Sequence, residues 1–180
     1  MKTFQKKYFQ KQLKRGIHSS LPKSERIPVF NDVKNIGILC CYENDEQMRE
    51  ILDTISSWQT SQHKMQLIVY IPFKNYPPIL KNNLFVQAIF QSDFSFFGRP
   101  KSSLKQQLQA MHYELFINAT NKPNGLVADY IAQCISADFK IGHDAENNHL
   151  YQLTLHMDEK YTFADFIHMI EKYTAKLNGQ

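Results

Sequence analysis

The sequence predicts an α/β domain built on one doubly wound, mostly parallel sheet, with helices on both faces and a C-terminal edge strand plus helix. Three observations carry this expectation. Short apolar runs of buried-strand composition, such as KNIGILCCY, MQLIVYI and YELFINA, recur along the chain. Segments with apolar residues at helical spacing separate several of them, and such alternation implies parallel pairing through crossover connections. The chain has 180 residues and is 43% hydrophobic, which suits one domain with a real core.

Residues 1–26 form a basic segment expected to be helical, and residues 27–180 form the α/β domain. On a helical wheel Phe9, Leu13 and Ile17 share one stripe, while Lys7, Lys11 and Lys14 lie on another. Gly16, Pro22 and Pro28 end this helix and make a connector. The first strand is expected near 35–40, around Ile36, Ile38 and Leu39. Asn44 and Gln47 then have the spacing of a capping box, with Asp45 and Glu46 suiting the helix dipole. Met48, Ile51, Leu52 and Ile55 follow at helical spacing.

MQLIVYI predicts a second strand near 66–71, closed by Pro72 and the loop KNYPPIL. FVQAIF predicts a third at 85–90. Ser102 or Ser103 is placed to cap a helix carrying Leu104, Leu108 and Met111. The fourth strand is expected at 114–119, followed by a helix with Leu126, Val127, Tyr130, Ile131 and Cys134. Asn121 or Asn124 would cap that helix, with Pro123 in its first turn. ADFKIG supplies a fifth strand near 138–142. YQLTLHM, residues 151–157, alternates strictly and places Tyr151, Leu153, Leu155 and Met157 on one face. That pattern fits a half-exposed edge strand of antiparallel type, and the preceding loop HDAENNH is too short for a helical crossover. Thr162 and Asp165 begin a last helix bearing Phe163, Phe166, Ile167 and Ile170. The order of elements is Rossmann-like.

Charge divides unevenly along the chain. Residues 1–26 hold eight Lys or Arg and one Glu, about +7. The whole chain is +4, so residues 27–180 carry 13 basic and 16 acidic side chains, or −3. Such asymmetry points to contact with nucleic acid or an anionic surface. Lys6, Lys7, Lys11, Lys14 and Arg15 are the candidate polyanion-binding residues, with RNA or the ribosome as the expected partner and an anionic membrane surface as the weaker one.

Other function classes find little support. No apolar run approaches the roughly 18–20 residues of a membrane span, and the N-terminus lacks the apolar block of a secretory signal. Cys40, Cys41 and Cys134 show no metal spacing, and a reducing cytoplasm is the expected location. His143, His149 and His156 lack the accompanying ligands of a metal site, so no metal or cofactor is expected. The aromatic run FSFFGRP, residues 94–100 with Arg99, reads as loop packing in preference to a stacking surface.

The run YELFINATNKPNGLVADYIAQCISADFKIG resembles a family of small, uncharacterised bacterial proteins of unknown function, which share a basic N-terminal segment and a strand like KNIGILC. More distantly, residues 34–143 are similar to the N-terminal half of heptosyltransferase-type glycosyltransferases, whose fourth strand reads Y-D-L-V-I-D. The resemblance implies the fold and argues against the enzyme. Where that family has a small-residue loop this chain reads CYENDEQ, Asn118 stands for the usual Asp, and no C-terminal nucleotide-sugar half follows.

If the first and fourth strands are neighbours, Cys41, Tyr42 and Glu43 face Asn118, Thr120, Asn121 and Lys122 across the strand-end crevice where open α/β sheets bind ligands. A helix N-terminus beside Lys122 would favour an anion. Two functions follow. The first is a non-enzymatic binding or accessory protein whose basic segment contacts a polyanion and whose body contacts another partner. The alternative is a small enzyme or nucleotide- or sugar-binding domain that uses the crevice. No paired carboxylates, triad or phosphate-loop motif supports catalysis, and the first reading is preferred.

Overall fold

The computed structural model describes residues 3–16, 27–59, 63–120, 125–143, 148–156 and 161–178. Helix α1 (Thr3–Gly16) precedes strand β1 (Asn35–Cys41), helix α2 (Asp45–Trp58), β2 (Lys64–Ile71), β3 (Val86–Phe90) and α3 (Ser102–Ala110). Then come β4 (His112–Asn118), α4 (Gly125–Cys134), β5 (Ser136–His143), β6 (Leu153–Leu155) and α5 (Phe163–Leu177). The strands form one sheet in the order β3-β2-β1-β4-β5-β6, and every neighbouring pair is parallel. This is the doubly wound, Rossmann-like arrangement that the alternating elements predict, and chain order reverses between β1 and β4.

Both faces of the sheet are covered, which is why its strands read as nearly continuous apolar runs. Ile36, Ile38 and Cys40 of β1 enter one core with Met48, Ile51 and Ile55 of α2 and Phe166, Ile167 and Ile170 of α5. Leu39 and Cys41 enter the other, with residues of α1, α3 and α4. Period-two side-chain direction thus sends the adjacent cysteines to opposite faces. Gly37 shares the second face. A Cβ there would lie 2.6 Å from the Tyr113 ring, so the missing side chain makes room for that ring on the sheet.

The helix starts follow local chemistry. Asn44 accepts a hydrogen bond from the Gln47 backbone N–H at the start of α2, so half of the expected capping box forms. Thr162 and Asp165 complete theirs at α5. At α3 the expected cap is corrected: Lys101 holds the N-cap position without a side-chain bond, and Ser102 is the first helical residue. The proposed caps Asn121 and Asn124, with Pro123, lie outside the described residues.

The edge strand differs from expectation in direction and length. β6 spans three residues and runs parallel to β5, with Ile141 opposite Leu153 and His143 opposite Leu155. A short connection suffices because β6 overlaps only the end of β5. Regaining register requires the chain to travel back about 7 Å, two strand residues. A 3₁₀ turn at Asn148–Leu150 lies on the return path and buries Leu150. Tyr151 leaves the expected alternation. It packs on the second core, whereas Leu153 and Leu155 pack on the first. Gly142 permits this, since a Cβ there would stand 2.7 Å from the Tyr151 ring.

The basic N-terminal segment is helical over Thr3–Gly16, and it shares the body's core. Phe9 and Leu13 are 2% and 1% exposed. Phe9 stacks at a tilt on Tyr130 of α4, with ring centroids 4.9 Å apart, and meets Phe94 edge-on at 5.7 Å. Ile17 and the connector to residue 26 lie outside the described residues.

Candidate functional site

The switch point brings the expected residues to one end of the sheet. Leu39 of β1 pairs with Asn118 of β4, and the Ala119 N–H donates to the Leu39 carbonyl at 2.8 Å. Cys41, Tyr42 and Glu43 therefore leave β1 beside Asn118 and Thr120, while Asn121 and Lys122 lie outside the described residues.

The side chains diverge once there. Cys41 is buried in the second core, where burial, followed by the nearby Glu43 charge, pushes its thiol up to about 12. Such a thiol stays protonated and is a poor nucleophile. Cys40 is shifted upward in the same way on the other face. Tyr42 turns toward the first core, meets Phe73 edge-on, and donates its hydroxyl to the Asp45 carboxylate. That hydrogen bond, with desolvation second, raises its pKa to about 12. Glu43 is exposed.

Asn118 is the centre of a buried polar network. Its Nδ2 donates to the Tyr151 hydroxyl oxygen at 2.7 Å and lies 3.4 Å from Asp129 Oδ1. The Tyr151 hydroxyl in turn donates to Asp129 Oδ1 at 2.7 Å, and Asn118 Oδ1 accepts the Thr120 N–H at 3.1 Å. All four residues are at most 5% exposed. Burial, then the Asp129 charge, holds the Tyr151 phenol well above its ordinary value. The network ties the β4 end to α4 and to the β5–β6 connection. It fastens the switch point and presents no reactive group to solvent.

Sequence reasoning missed Asp129, Tyr151 and Lys140. The signal for Asp129 was a lone carboxylate in the otherwise apolar helix GLVADYIAQC. Lys140 is 2% exposed, and its ammonium donates to the Ala132 and Ile135 carbonyls at 2.6 and 2.7 Å. It thereby satisfies the C-terminal end of α4, where a cation is favoured. Burial still lowers its pKa to about 8. Its signal was a lysine inside the apolar strand ADFKIG.

The opposite end of the sheet holds a cavity of about 430 Å³ near Val33, Glu114, Asp138 and Asn178. Its three carboxylates, Asp32, Glu114 and Asp138, do not suit an anionic ligand. Among the described residues, no group of three His, Cys, Asp or Glu could hold a metal ion, and no helix is long and apolar enough to cross a membrane.

The second candidate surface is the outer face of α1. Lys6, Lys7, Lys11, Lys14 and Arg15 are all exposed, and the helix contains no acidic residue. Burial of Phe9 and Leu13 fixes its rotation, so Lys7, Lys11, Lys14 and Arg15 point away from the core, while Lys6 is exposed on the flank near Leu13.

Residues 4–177 match the model of a family of unknown function, DUF6913, and the chain belongs to that family. No curated protein and no solved structure matches it, and neither comparison connects it with the heptosyltransferases.

Proposed function

We propose, for this member of the DUF6913 family, a non-enzymatic binding or accessory role. The exposed basic face of α1 contacts a polyanion, RNA or the ribosome, and the α/β body contacts another partner. The observation that carries this reading is the division of α1 into a buried apolar stripe and an opposite exposed face that bears Lys7, Lys11, Lys14 and Arg15, with Lys6 exposed at its flank. A helix anchored in this way holds its charges in place, and concentrates positive charge on one face of a body that is itself net negative.

The alternative, a small enzyme or a nucleotide- or sugar-binding domain, draws less support. The Asn118–Asp129–Tyr151 network occupies the described part of the switch point, and Cys41 is a protonated core residue. The likeness to heptosyltransferases adds no activity, because Asn118, standing where those proteins carry Asp, is committed to that network. An anionic membrane could attract the same cations at about 1 kcal/mol each, but the apolar stripe that would enter a bilayer is spent in the core.

The test uses the intact chain and the triple variant Lys7→Gln, Lys11→Gln, Lys14→Gln. These side chains are exposed, so circular dichroism should show an unchanged fold. The variant is expected to lose most RNA binding. Retention of full affinity would refute the role of α1.

A further inference from the structure

Phe4, Phe96 and Phe97 meet on the surface beside the basic face of α1. They are 58%, 55% and 59% exposed, with ring centroids 6.4 Å apart for Phe4–Phe96, 6.2 Å for Phe4–Phe97 and 5.4 Å for Phe96–Phe97. Large apolar rings grouped in this way on a surface mark a contact site.

The rings come from two segments that are fixed to each other. Residues 94–100 form a tight turn in which the Ser95 N–H donates to the Arg99 carbonyl at 2.7 Å and the Gly98 N–H donates to the Ser95 carbonyl at 2.9 Å. Phe94 and Pro100 close it as an antiparallel bridge. Gly98 has φ +89°, a left-handed conformation that favours glycine, and a Cβ there would lie 3.2 Å from the Gln5 backbone. Gln5 Nε2 also donates to the Ser95 carbonyl at 3.3 Å. Below, Phe94 is buried against Phe9. The same turn that buries Phe94 holds Phe96 and Phe97 outward, so the run FSFFGRP packs at its first ring and presents its next two.

Charge continues from the rings. At about 100° per residue, Phe4, Lys7, Lys11, Lys14 and Arg15 lie along one outer face of α1, and all are exposed. With a rise of about 1.5 Å per residue, the cations extend roughly 5 to 16 Å from Phe4 along the helix. Arg99, in the turn, is exposed as well.

We propose that Phe4, Phe96 and Phe97 form a stacking platform for unpaired bases at the head of this cationic row, which makes the partner a single-stranded nucleic acid. The inference rests on the polyanion reading of α1 and deepens it. Unpaired strands offer both base faces for stacking and phosphates for the cations, the combination that sequence-tolerant single-strand binders use. A duplex hides its base faces and would leave the rings without a function. A bilayer would engage the apolar stripe of a surface helix, and that stripe is buried here.

The test measures binding of the full chain to a short single-stranded RNA, to its perfect duplex, and to phosphatidylserine-containing vesicles. The variants are Phe96→Ala with Phe97→Ala, the corresponding Leu pair and the corresponding Tyr pair. The wild type is expected to prefer the single strand, and the Ala pair to weaken that binding by about tenfold or more. The dependence on salt should be unchanged. Tyr at both positions should keep the affinity and Leu should not, because flat rings rather than apolarity are required. Equal binding of single strand and duplex, with no effect of the Ala pair, would overturn the platform while leaving the polyanion reading standing. Failure to bind RNA at any salt concentration would overturn both. Vesicle binding that depends on the phenylalanines, without preference for RNA, would assign the patch to a membrane and overturn the platform.

Discussion

At the scale of single residues, the chemistry of the strand ends is structural. The Tyr151 hydroxyl bridges Asn118 and Asp129 in the buried network, so removing it takes one hydrogen bond from each of two buried polar groups. Tyr151→Phe is expected to destabilise the fold by about 1–3 kcal/mol, read as a lower urea midpoint. An unchanged midpoint would show that the network contributes nothing. Burial also sets the response to pH. Cys41 is pushed from 9.0 to about 12, and Tyr70 and Tyr113 from 10.0 to about 12, each mainly by desolvation. The unfolded chain releases these protons from about pH 9 upward, whereas the folded chain keeps them to about pH 12. The folded state therefore binds more protons in that window, and stability falls as pH rises through it. Lys140 works the other way between about 8 and 10.5, because its folded form releases a proton first. Several acids oppose one lysine, so the net loss should dominate. Cys41→Ala should make the decline with pH shallower, and an equally steep decline would exclude the thiol as a source. The strand composition made Cys40 and Cys41 legible as core residues. Asn118 was legible as a strand end, but not as a network centre, because Asp129 and Tyr151 reach it from distant parts of the chain.

At the scale of elements, composition and spacing located each strand to within a few residues. The direction of β6 was misread because strict alternation resembles an antiparallel edge. Its three-residue overlap with β5 removes the need for a long crossover. The fate of α1 was open to sequence reasoning, since an apolar stripe of Phe9 and Leu13 can dock or stay free. The structure docks it, and this changes what a truncation would report. Deleting residues 1–16 removes two nearly fully buried side chains and the rings' contacts with Tyr130 and Phe94. Loss of large core side chains costs about 2–5 kcal/mol each, so the truncated chain should unfold at markedly lower urea or expose apolar surface to a hydrophobic dye. A truncated chain as stable as the intact one would contradict the docking. Point substitutions of exposed lysines are therefore the appropriate probe of charge.

For the whole molecule, a parallel sheet with both faces covered supplies the frame, and α1 gives one side of it a positive face that the net negative body lacks. The fold was legible because its alternation and apolar runs are local signals. The charge split was legible by counting. The aromatic surface was legible only in part: FSFFGRP offered packing or stacking, and packing holds for Phe94 alone, while Phe4 lies far off in sequence and only the docked helix brings it beside Phe96 and Phe97. The central claim is that the exposed cations of α1 carry the molecule's attraction to RNA. The most direct measurement is the affinity of the intact chain for RNA as a function of salt, beside the triple variant Lys7→Gln, Lys11→Gln, Lys14→Gln. If about four to six cations neutralise phosphates, log affinity should fall against log salt with a slope of roughly −3 to −5, and the variant's slope should be shallower by about 2 to 3. A variant whose slope and affinity equal those of the intact chain would contradict the account.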